Sequence, residues 1–219
     1  MEANFIQNSL QLAPPAALLD VPCGNGRLSI ELTSRGFNLT AVDISESFLR
    51  EGQAVSRQNG FKIDWQLREM RDLPWQSHFG GAFCFGNSFG YLDDQGNLEF
   101  LKAVHRVLTP NGRSVLDASS VAENVLPKIQ DHTEMQIGDI RFIEDNRYDH
   151  VSGRLDTEYT FVRGNQTEKK FGSHRLYTYR ELETLLAEAG FKIHLAVGSL
   201  DGEAFRFGSQ ALFFLVGKE

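Results

Sequence analysis

The segment ALLDVPCGNGR, residues 17–27, is the feature that most constrains the fold of this 219-residue chain. Its first five residues form an apolar run without apolar/polar alternation, which predicts a strand covered on both faces. Gly24 and Gly26 follow directly, and glycine permits positive φ angles and lets the backbone approach a ligand closely. A second apolar run, NLTAVDI (38–44), comes next. We therefore predict a parallel sheet that starts with a strand–helix–strand unit.

The alternation of strands and helices continues along the chain. Apolar runs predict strands at 17–21, 38–44, 62–67, 81–85, 114–119, 191–197 and 210–217. Apolar stripes and capping residues predict helices after Arg27 and Ser45, over 98–108, and after Thr178. The helix-free connection between the last two strands favours an antiparallel pair. The predicted fold class is α/β: a Rossmann-like, mostly parallel seven-stranded sheet with an antiparallel last strand and helices on both faces.

The regular pattern breaks over residues 134–178. This stretch has no helical stripe and contains three extended segments rich in Tyr, Phe, Ile and Thr. We interpret it as an inserted antiparallel β meander within a single domain over residues 1–219. Its role is open between a lid that sets acceptor specificity and a dimer contact.

Composition excludes several classes of function. The formal net charge is −7, and no Lys/Arg cluster is longer than Lys169-Lys170, so nucleic acid is not expected as a partner. The longest apolar run, ALFFLV (211–216), is far shorter than a membrane span, which predicts no membrane partner. Two cysteines without a disulfide framework indicate a reducing, cytoplasmic setting. No Cys/His set has the spacing of metal ligands.

The ends of the first two strands carry the residues of a predicted nucleoside site. Asp43 ends the second strand, where a carboxylate accepts hydrogen bonds from both ribose hydroxyls. Asp20 lies just before the glycines, where a carboxylate would repel a pyrophosphate, and Ser29 replaces the third glycine of dinucleotide-binding turns. A cofactor with a cationic amino end and a sulfonium fits better. These residues therefore favour S-adenosylmethionine.

Four segments resemble class I S-adenosylmethionine-dependent methyltransferases. They are LLDVPCGNGR with the following AVDIS, EMRDLPW (69–75), VLTPNGRSVLD (107–117) and TYRELETLLAEAGF (178–191). The resemblance covers residues 17–119 and 174–217. It departs from the family where Phe79 is followed by Gly80 rather than Asp, a position that mainly begins the fourth strand. The resemblance implies methyl transfer to a small-molecule acceptor by in-line displacement, driven mainly by positioning, with S-adenosylhomocysteine as product.

The resemblance also implies which residues bind the cofactor. Asp20 and Gly24 would lie along the methionine portion, Asp43 would hold the ribose, and Ile44 would pack on the adenine. Glu69 and Met70 would recognise the adenine edge, and Gly86 with Asn87 would end the fourth strand beside the donor methyl group. The predicted cofactor-binding set is Asp20, Pro22, Cys23, Gly24, Gly26, Asp43, Ile44, Glu69, Met70, Gly86 and Asn87. Related enzymes often have longer N-terminal helices that cover the cofactor; residues 1–13 would supply a short version, or the cofactor would be more exposed here.

Candidate catalytic residues are Asp117, which ends the fifth strand, and His174 in SHRLYT. A carboxylate or imidazole there could take a proton from the acceptor, although capping a turn and packing in a strand are the competing roles. Candidate substrate-binding residues are Ser88, Tyr91, Tyr177 and Arg206. The residues do not decide whether the methylated atom is nitrogen, oxygen or carbon.

Two other functions remain open at the level of sequence. The glycine turn is also compatible with a nicotinamide-dependent oxidoreductase, against which Asp20 and Ser29 argue. A non-catalytic protein that binds S-adenosylmethionine or S-adenosylhomocysteine would carry the same turn. The chain is expected to be a monomer or a homodimer.

Overall fold

The computed structural model describes residues 1–218. Six helices are present in this part of the chain: α1 (Glu2–Leu10), α2 (Arg27–Ser34), α3 (Glu46–Gln58), α4 (Asp94–Val107), α5 (Ala122–Val125) and α6 (Tyr179–Glu188). None of the helices in residues 1–218 is long and apolar enough to cross a membrane.

Seven strands form the main sheet. They are β1 (Ala17–Asp20), β2 (Asn38–Asp43), β3 (Asp64–Leu67), β4 (Phe79–Cys84), β5 (Leu108–Asp117), β10 (Lys192–Val197) and β11 (Phe213–Gly217). Their order is β10-β11-β5-β4-β1-β2-β3. Strands β1 to β5 pair in parallel, whereas β11 is antiparallel to both of its neighbours. The predicted fold class is confirmed, including the antiparallel last strand.

A separate four-stranded sheet forms the insert. Its strands are β6 (His132–Ile137), β7 (Ile140–Asp149), β8 (Arg154–Arg163) and β9 (Gln166–Arg175), paired in sequence order and antiparallel throughout. The predicted meander is thus present, with one more strand than the three extended segments indicated. We call this four-stranded unit the inserted sheet.

The main sheet is buried on both faces, which explains why its strands lack alternation. One core contains Leu19, Phe100 and Phe214 and joins the sheet to α4 and α6. The other contains Leu18 and Ile6 and joins the opposite face to α1 and α2. Helices on both faces therefore fix the sheet rigidly, and the strand ends become the exposed edge.

Element boundaries differ from prediction by a few residues. β3 begins at Asp64 rather than 62, β4 begins at Phe79 rather than 81, and β11 begins at Phe213 rather than 210. α4 ends at Val107, and Leu108 already belongs to β5, which was predicted to begin at 114. Pairing of Phe79 with Leu108 explains the earlier start of both strands.

Strand order reverses between β1 and β4, which pair side by side although β2 and β3 lie on the far side of β1. A crevice forms at the carboxyl ends of the strands at such a reversal, because the connections leave in opposite directions. Asp20 ends β1 and Cys84 ends β4, so the segments after these residues border that crevice.

Candidate functional site

The two glycines of the first turn have different surroundings. Both have positive φ, 55° at Gly24 and 73° at Gly26. A Cβ on Gly26 would overlap the Trp65 ring, which also packs against Gly52. A Cβ on Gly24 would meet no atom within 4 Å. Gly26 is therefore required by packing, whereas the space beside Gly24 is open to a ligand.

Asp43 is held in place by backbone donors on both sides. The Gly24 N–H donates to its Oδ2 at 2.7 Å, and the Ser45 N–H donates to its Oδ1 at 2.8 Å. The side chain is buried at the end of β2. Because each carboxylate oxygen accepts about two hydrogen bonds, one site on each oxygen remains for a ligand diol.

Asp20 is a buried carboxylate whose side chain contacts Ser29. The Ser29 hydroxyl donates to Asp20 Oδ2 at 2.7 Å, and both residues are buried. Burial raises the pKa of Asp20 to about 7, and the nearby Asp43 carboxylate adds to the rise, while the Ser29 hydrogen bond and Arg27 oppose it. A cationic group at this position would restore the ionised form.

Two adjoining cavities run along this edge of the sheet. The smaller, about 190 Å³, is lined by Asp20, Pro22, Cys23, Gly24, Asn25, Arg27, Leu28, Phe85, Gly86 and Ser88. The larger, about 460 Å³, is lined by Pro22, Gly24, Val42, Asp43, Ile44, Phe48, Arg68, Glu69, Met70, Arg71, Ser88, Tyr91 and Leu92. Pro22, Gly24 and Ser88 line both, so the two cavities form one cleft. We call it the two-part cleft.

Apolar side chains line the larger cavity and face solvent. Ile44 is 72% exposed, and Phe48 and Tyr91 are about half exposed. Exposed apolar groups gathered around one cavity mark a binding surface for a planar, partly apolar ligand. Glu69 also lines this cavity, but its Oε2 accepts from both the N–H and the Nε–H of Arg71. Its second oxygen is left for the ligand edge.

Cys23 lies in the smaller cavity but is not activated. Burial raises the pKa of its thiol, and the carboxylates of Asp20 and Asp43 raise it further. A thiol held in its neutral form is a poor nucleophile. Among the described residues, no group of three or more His, Cys, Asp or Glu side chains is placed to hold a metal ion.

Asp117 holds the turn after β4 rather than facing the cleft as a base. Its Oδ2 accepts from the N–H groups of Gly86 and Asn87, each at 3.1 Å. Its Oδ1 accepts from the N–H and the hydroxyl of Ser119. Four donors fill the acceptor capacity of a carboxylate. The prediction that Asp117 takes a proton is therefore corrected to a positioning role.

His174 lines neither cavity, although it contacts a residue that does. Its Nε2 lies 2.5 Å from the Phe89 carbonyl oxygen, so Nε2 carries the proton and donates. Burial lowers its pKa, which this hydrogen bond only partly offsets. Its ring also meets Tyr91 edge-on, with centroids 4.9 Å apart. The structure thus makes His174 an anchor for the loop after β4, and the predicted role as catalytic base is not supported by its position.

Tyr177 was predicted to contact substrate, but its side chain belongs to the core. It is 4% exposed, donates to Asp94 Oδ1 at 2.8 Å and accepts from Asn97 Nδ2 at 3.1 Å. The sequence around Tyr177 did not reveal this burial, because both of its hydrogen-bond partners lie in α4, far away in the chain. Arg206 lies in the loop between β10 and β11, exposed and outside the lining of either cavity. Its role in substrate binding stays a prediction.

Three residues outside the predicted site set contact residues that line the cleft or belong to its glycine turn. Ser29 hydrogen-bonds Asp20, Trp65 packs against Gly26, and Arg154 of the inserted sheet donates to the loop after β4. Only Ser29 carried a signal, its small size at the third turn position. The other two act across long sequence separations that no local pattern records.

The N-terminal helix begins next to the cleft. α1 buries Ala3, Ile6 and Leu10 against the sheet, and Glu2 forms an ion pair with Arg27, which lines the smaller cavity. A short helix is therefore present in residues 1–13, but none of its residues lines either cavity, and its role in covering the cofactor stays a prediction.

Comparisons with known proteins agree with this geometry. Residues 18–112 match the family described as a methyltransferase domain. YqeM of Bacillus subtilis (strain 168), named provisionally as a methyltransferase, is 28% identical over 209 residues, which cover 92% of this chain and 83% of the relative. The match extends well beyond the glycine turn and includes the inserted sheet's position in the chain.

Solved structures with the same fold carry the same description. An S-adenosylmethionine-dependent methyltransferase from Clostridium acetobutylicum ATCC 824 has a TM-score of 0.87 at 19% identity, covering 99% of this chain and 90% of its own. CalS10, an amino pentose methyltransferase from Micromonospora echinaspora solved with S-adenosylmethionine bound, has a TM-score of 0.74 at 17% identity, covering 100% and 89%.

Proposed function

We propose that this chain is a class I S-adenosylmethionine-dependent methyltransferase that methylates a small-molecule acceptor, as the methyltransferase-domain match over residues 18–112 and the similarity to YqeM support. The observation that carries the proposal is the two-part cleft, with Asp20 in its smaller cavity and Asp43 in its larger one. These carboxylates match the two polar parts of the cofactor, the cationic amino-acid tail and the ribose diol. The match to a methyltransferase domain over residues 18–112 supports this proposal over the nicotinamide-dependent alternative.

The residues of the cleft fit the cofactor part by part. Asp20 would hold the ammonium group, and the exposed guanidinium of Arg27 in the same cavity would face the carboxylate. Asp43 would hold the ribose with the acceptor sites that Gly24 and Ser45 leave free. Ile44 would pack on the adenine in the larger cavity. The ammonium, carboxylate and ribose diol of the cofactor would thus each face a side chain that can pair with them.

When bound, the cofactor supplies an electrophilic methyl group on a sulfonium, which suits in-line displacement at that carbon. The task left to the protein is alignment and exclusion of water. Asp117 fixes the Gly86–Asn87 turn, and His174 fixes Phe89, so both hold the loop beside the reaction site. We therefore propose that positioning, rather than a general base, drives the reaction.

The acceptor is proposed to lie against Ser88 and Tyr91. Ser88 lines both cavities, so its hydroxyl stands where they join, and Tyr91 lines the larger cavity beside the inserted sheet. A net charge of −7 disfavours nucleic acid acceptors. CalS10, whose name gives an amino pentose as its acceptor, shares the fold, which is compatible with a small acceptor here. We propose that the protein acts in the cytoplasm as a monomer or homodimer, without a membrane partner.

Transfer of a labelled methyl group tests this proposal. S-adenosylmethionine labelled in the methyl group is incubated with the protein and with the small-molecule, protein and nucleic acid fractions of a cell extract. We expect label in the small-molecule fraction, with one S-adenosylhomocysteine formed for each methyl transferred, and none with Asp43→Ala. Label confined to protein or nucleic acid would contradict the small acceptor. Binding of S-adenosylmethionine without turnover in any fraction would favour the non-catalytic alternative.

A further inference from the structure

Four consecutive carbonyl oxygens of the loop after β4 accept hydrogen bonds from the inserted sheet. Phe89 O lies 2.5 Å from His174 Nε2, and Gly90 O accepts from the Arg175 N–H at 2.8 Å. Tyr91 O and Leu92 O both accept from Arg154, at 3.1 and 3.0 Å. The inserted sheet therefore supplies a hydrogen-bond donor to every carbonyl of residues 89–92, and Asn97 of α4 adds a second donor to Leu92 O at 3.0 Å.

Arg154 is the residue that spans this contact. Its Nη1 and Nη2 donate to the loop, while its Nε donates to the Ser173 hydroxyl at 2.8 Å and its Nη2 also donates to the Ser173 carbonyl at 2.9 Å. The Ser173 hydroxyl in turn donates to Asp156 Oδ1 at 2.7 Å. Its hydrogen bonds to Ser173 therefore fix the planar guanidinium relative to β9, and the remaining N–H groups donate to the loop. A lysine ammonium on its flexible chain could not make the same set of hydrogen bonds.

The loop that Arg154 holds is also a wall of the two-part cleft. Tyr91 and Leu92, whose carbonyls bind Arg154, line the larger cavity, and Ser88 lines both cavities. At the other end of the loop, Gly86 and Asn87 are held by Asp117. The loop is thus held by the main sheet at one end and by the inserted sheet at the other. A shift at either end would move the wall of the cleft.

We propose that Arg154 is a positioning residue that couples the inserted sheet to the cofactor cleft. It keeps the wall formed by Ser88, Tyr91 and Leu92 in the conformation that binds the cofactor, and it transmits any displacement of the inserted sheet to that wall. This inference rests on the proposed function, since it assigns the cleft to S-adenosylmethionine and S-adenosylhomocysteine. It makes the inserted sheet part of donor binding and not only a cover for the acceptor.

A purely structural role for Arg154 predicts a different outcome. Loss of a surface anchor would lower the thermal stability of the inserted sheet and leave the affinity for cofactor unchanged. Coupling through the loop predicts weaker cofactor binding together with faster amide exchange confined to residues 85–92. The two roles are therefore separated by affinity and by local exchange, both measured on folded protein.

The test uses Arg154→Ala, Arg154→Lys and the control Arg141→Ala, with S-adenosylhomocysteine as the probe. Arg141 is a matched control because it lies in the same sheet and forms a bidentate ion pair with Glu134 on the surface. Affinity is measured by calorimetry, and hydrogen exchange is followed in peptides covering residues 85–92 and, as a reference, 213–217. Thermal unfolding identifies any variant that does not fold.

We expect Arg154→Ala to weaken binding about tenfold, a typical coupling between sites, and to speed exchange in residues 85–92 alone. Arg154→Lys should lose less affinity, and it carries the same test if the alanine variant does not fold. Arg141→Ala should match the parent. Unchanged affinity in both Arg154 variants, with tight binding by the parent, would overturn this proposal alone. A parent that does not bind the probe would overturn the proposed function as well.

Discussion

At the scale of single residues, backbone groups and buried side chains hold the binding carboxylates in place. Asp43 is fixed by the amides of Gly24 and Ser45, and Asp20 is fixed by the Ser29 hydroxyl. Each carboxylate is thereby oriented before a ligand arrives, which reduces the ordering cost of binding. The glycine turn contributes in two separate ways that a sequence motif does not distinguish.

Alanine at the two glycines should separate packing from binding. Gly26→Ala places a methyl group against Trp65 at a positive φ, so we expect a loss of roughly 2–4 kcal/mol in the free energy of unfolding. Gly24→Ala has open space around it and should cost about 1 kcal/mol from its φ alone. Because that space belongs to the cleft, Gly24→Ala should nevertheless lose most of its affinity for S-adenosylhomocysteine. Denaturant unfolding and calorimetry check both; equal effects of the two substitutions would contradict the assignment.

The raised pKa of Asp20 predicts a pH dependence of cofactor binding. An ammonium group binds the ionised carboxylate, so affinity should rise with pH, by up to about tenfold per unit, and level off above about pH 7. In the ligand-free protein, the pKa of Asp20 is raised from 3.8 to about 7 on folding. The folded state therefore binds more protons than the unfolded state between pH 4 and 7. The contribution of Asp20 to the free energy of unfolding therefore falls as the pH increases through that window.

Two variants serve as controls for the titration, which is followed by calorimetry with S-adenosylhomocysteine from pH 5 to 8. Asp20→Asn should bind weakly and lose this dependence. Ser29→Ala should move the midpoint to higher pH, because it removes the hydrogen bond that lowers the pKa of Asp20. A parent profile identical to that of Asp20→Asn would show that Asp20 does not contact the cofactor.

At the scale of secondary-structure elements, strand ends and helix starts are joined by side chains from distant segments. Tyr177 links the segment before α6 to Asp94 and Asn97 of α4. Asp117 at the end of β5 holds the turn after β4. In the structure, these two residues, which were expected to contact the acceptor or to take a proton, hold neighbouring segments together.

Tyr177→Phe should affect stability and leave binding intact. The substitution removes a buried hydroxyl that donates to the exposed Asp94 carboxylate and accepts from the buried Asn97 amide, so we expect a loss of about 1–3 kcal/mol in the free energy of unfolding. The affinity for S-adenosylhomocysteine and the rate of methyl transfer should match those of the parent, since Tyr177 lies outside both cavities. Reduced methyl transfer with unchanged stability would restore Tyr177 as a substrate-binding residue.

The sequence was sufficient to predict the elements and the strand-end residues, because burial on both faces and glycine turns leave local patterns. Asp20, Asp43 and Ile44 were located in this way, and all three line the cleft. The roles of Asp117 and His174 were not accessible, because their partners lie in the loop after β4, far away in sequence. Local patterns place a side chain at an edge but do not record which donors reach it.

At the scale of the whole molecule, two sheets share one loop. The main sheet supplies the cleft at its carboxyl edge, and the inserted sheet holds the loop of residues 89–92 through Arg154, His174 and Arg175. Because this loop also borders the two-part cleft, variation of the inserted sheet would alter the wall of the cleft.

The overall charge predicts behaviour towards nucleic acids. With a net charge of −7, we expect no complex with transfer RNA or duplex DNA in a filter-binding assay at physiological ionic strength. A complex whose affinity falls steeply with added salt would contradict this expectation and would revive a macromolecular acceptor. The assay is repeated with the parent protein saturated with S-adenosylhomocysteine, because the ligand would fill the cleft.

The most direct test of the account is the binding of S-adenosylmethionine measured by calorimetry in the parent, Asp43→Ala and Asp64→Ala. Asp64 is the matched control, an exposed carboxylate at the start of β3 that hydrogen-bonds only Gln66 among the described residues. We predict one site in the parent, the same affinity in Asp64→Ala, and a loss of at least about 100-fold in folded Asp43→Ala, as expected for two hydrogen bonds to a charged group. No binding by the parent, or equal affinity in all three proteins, would contradict the assignment of the two-part cleft to this cofactor.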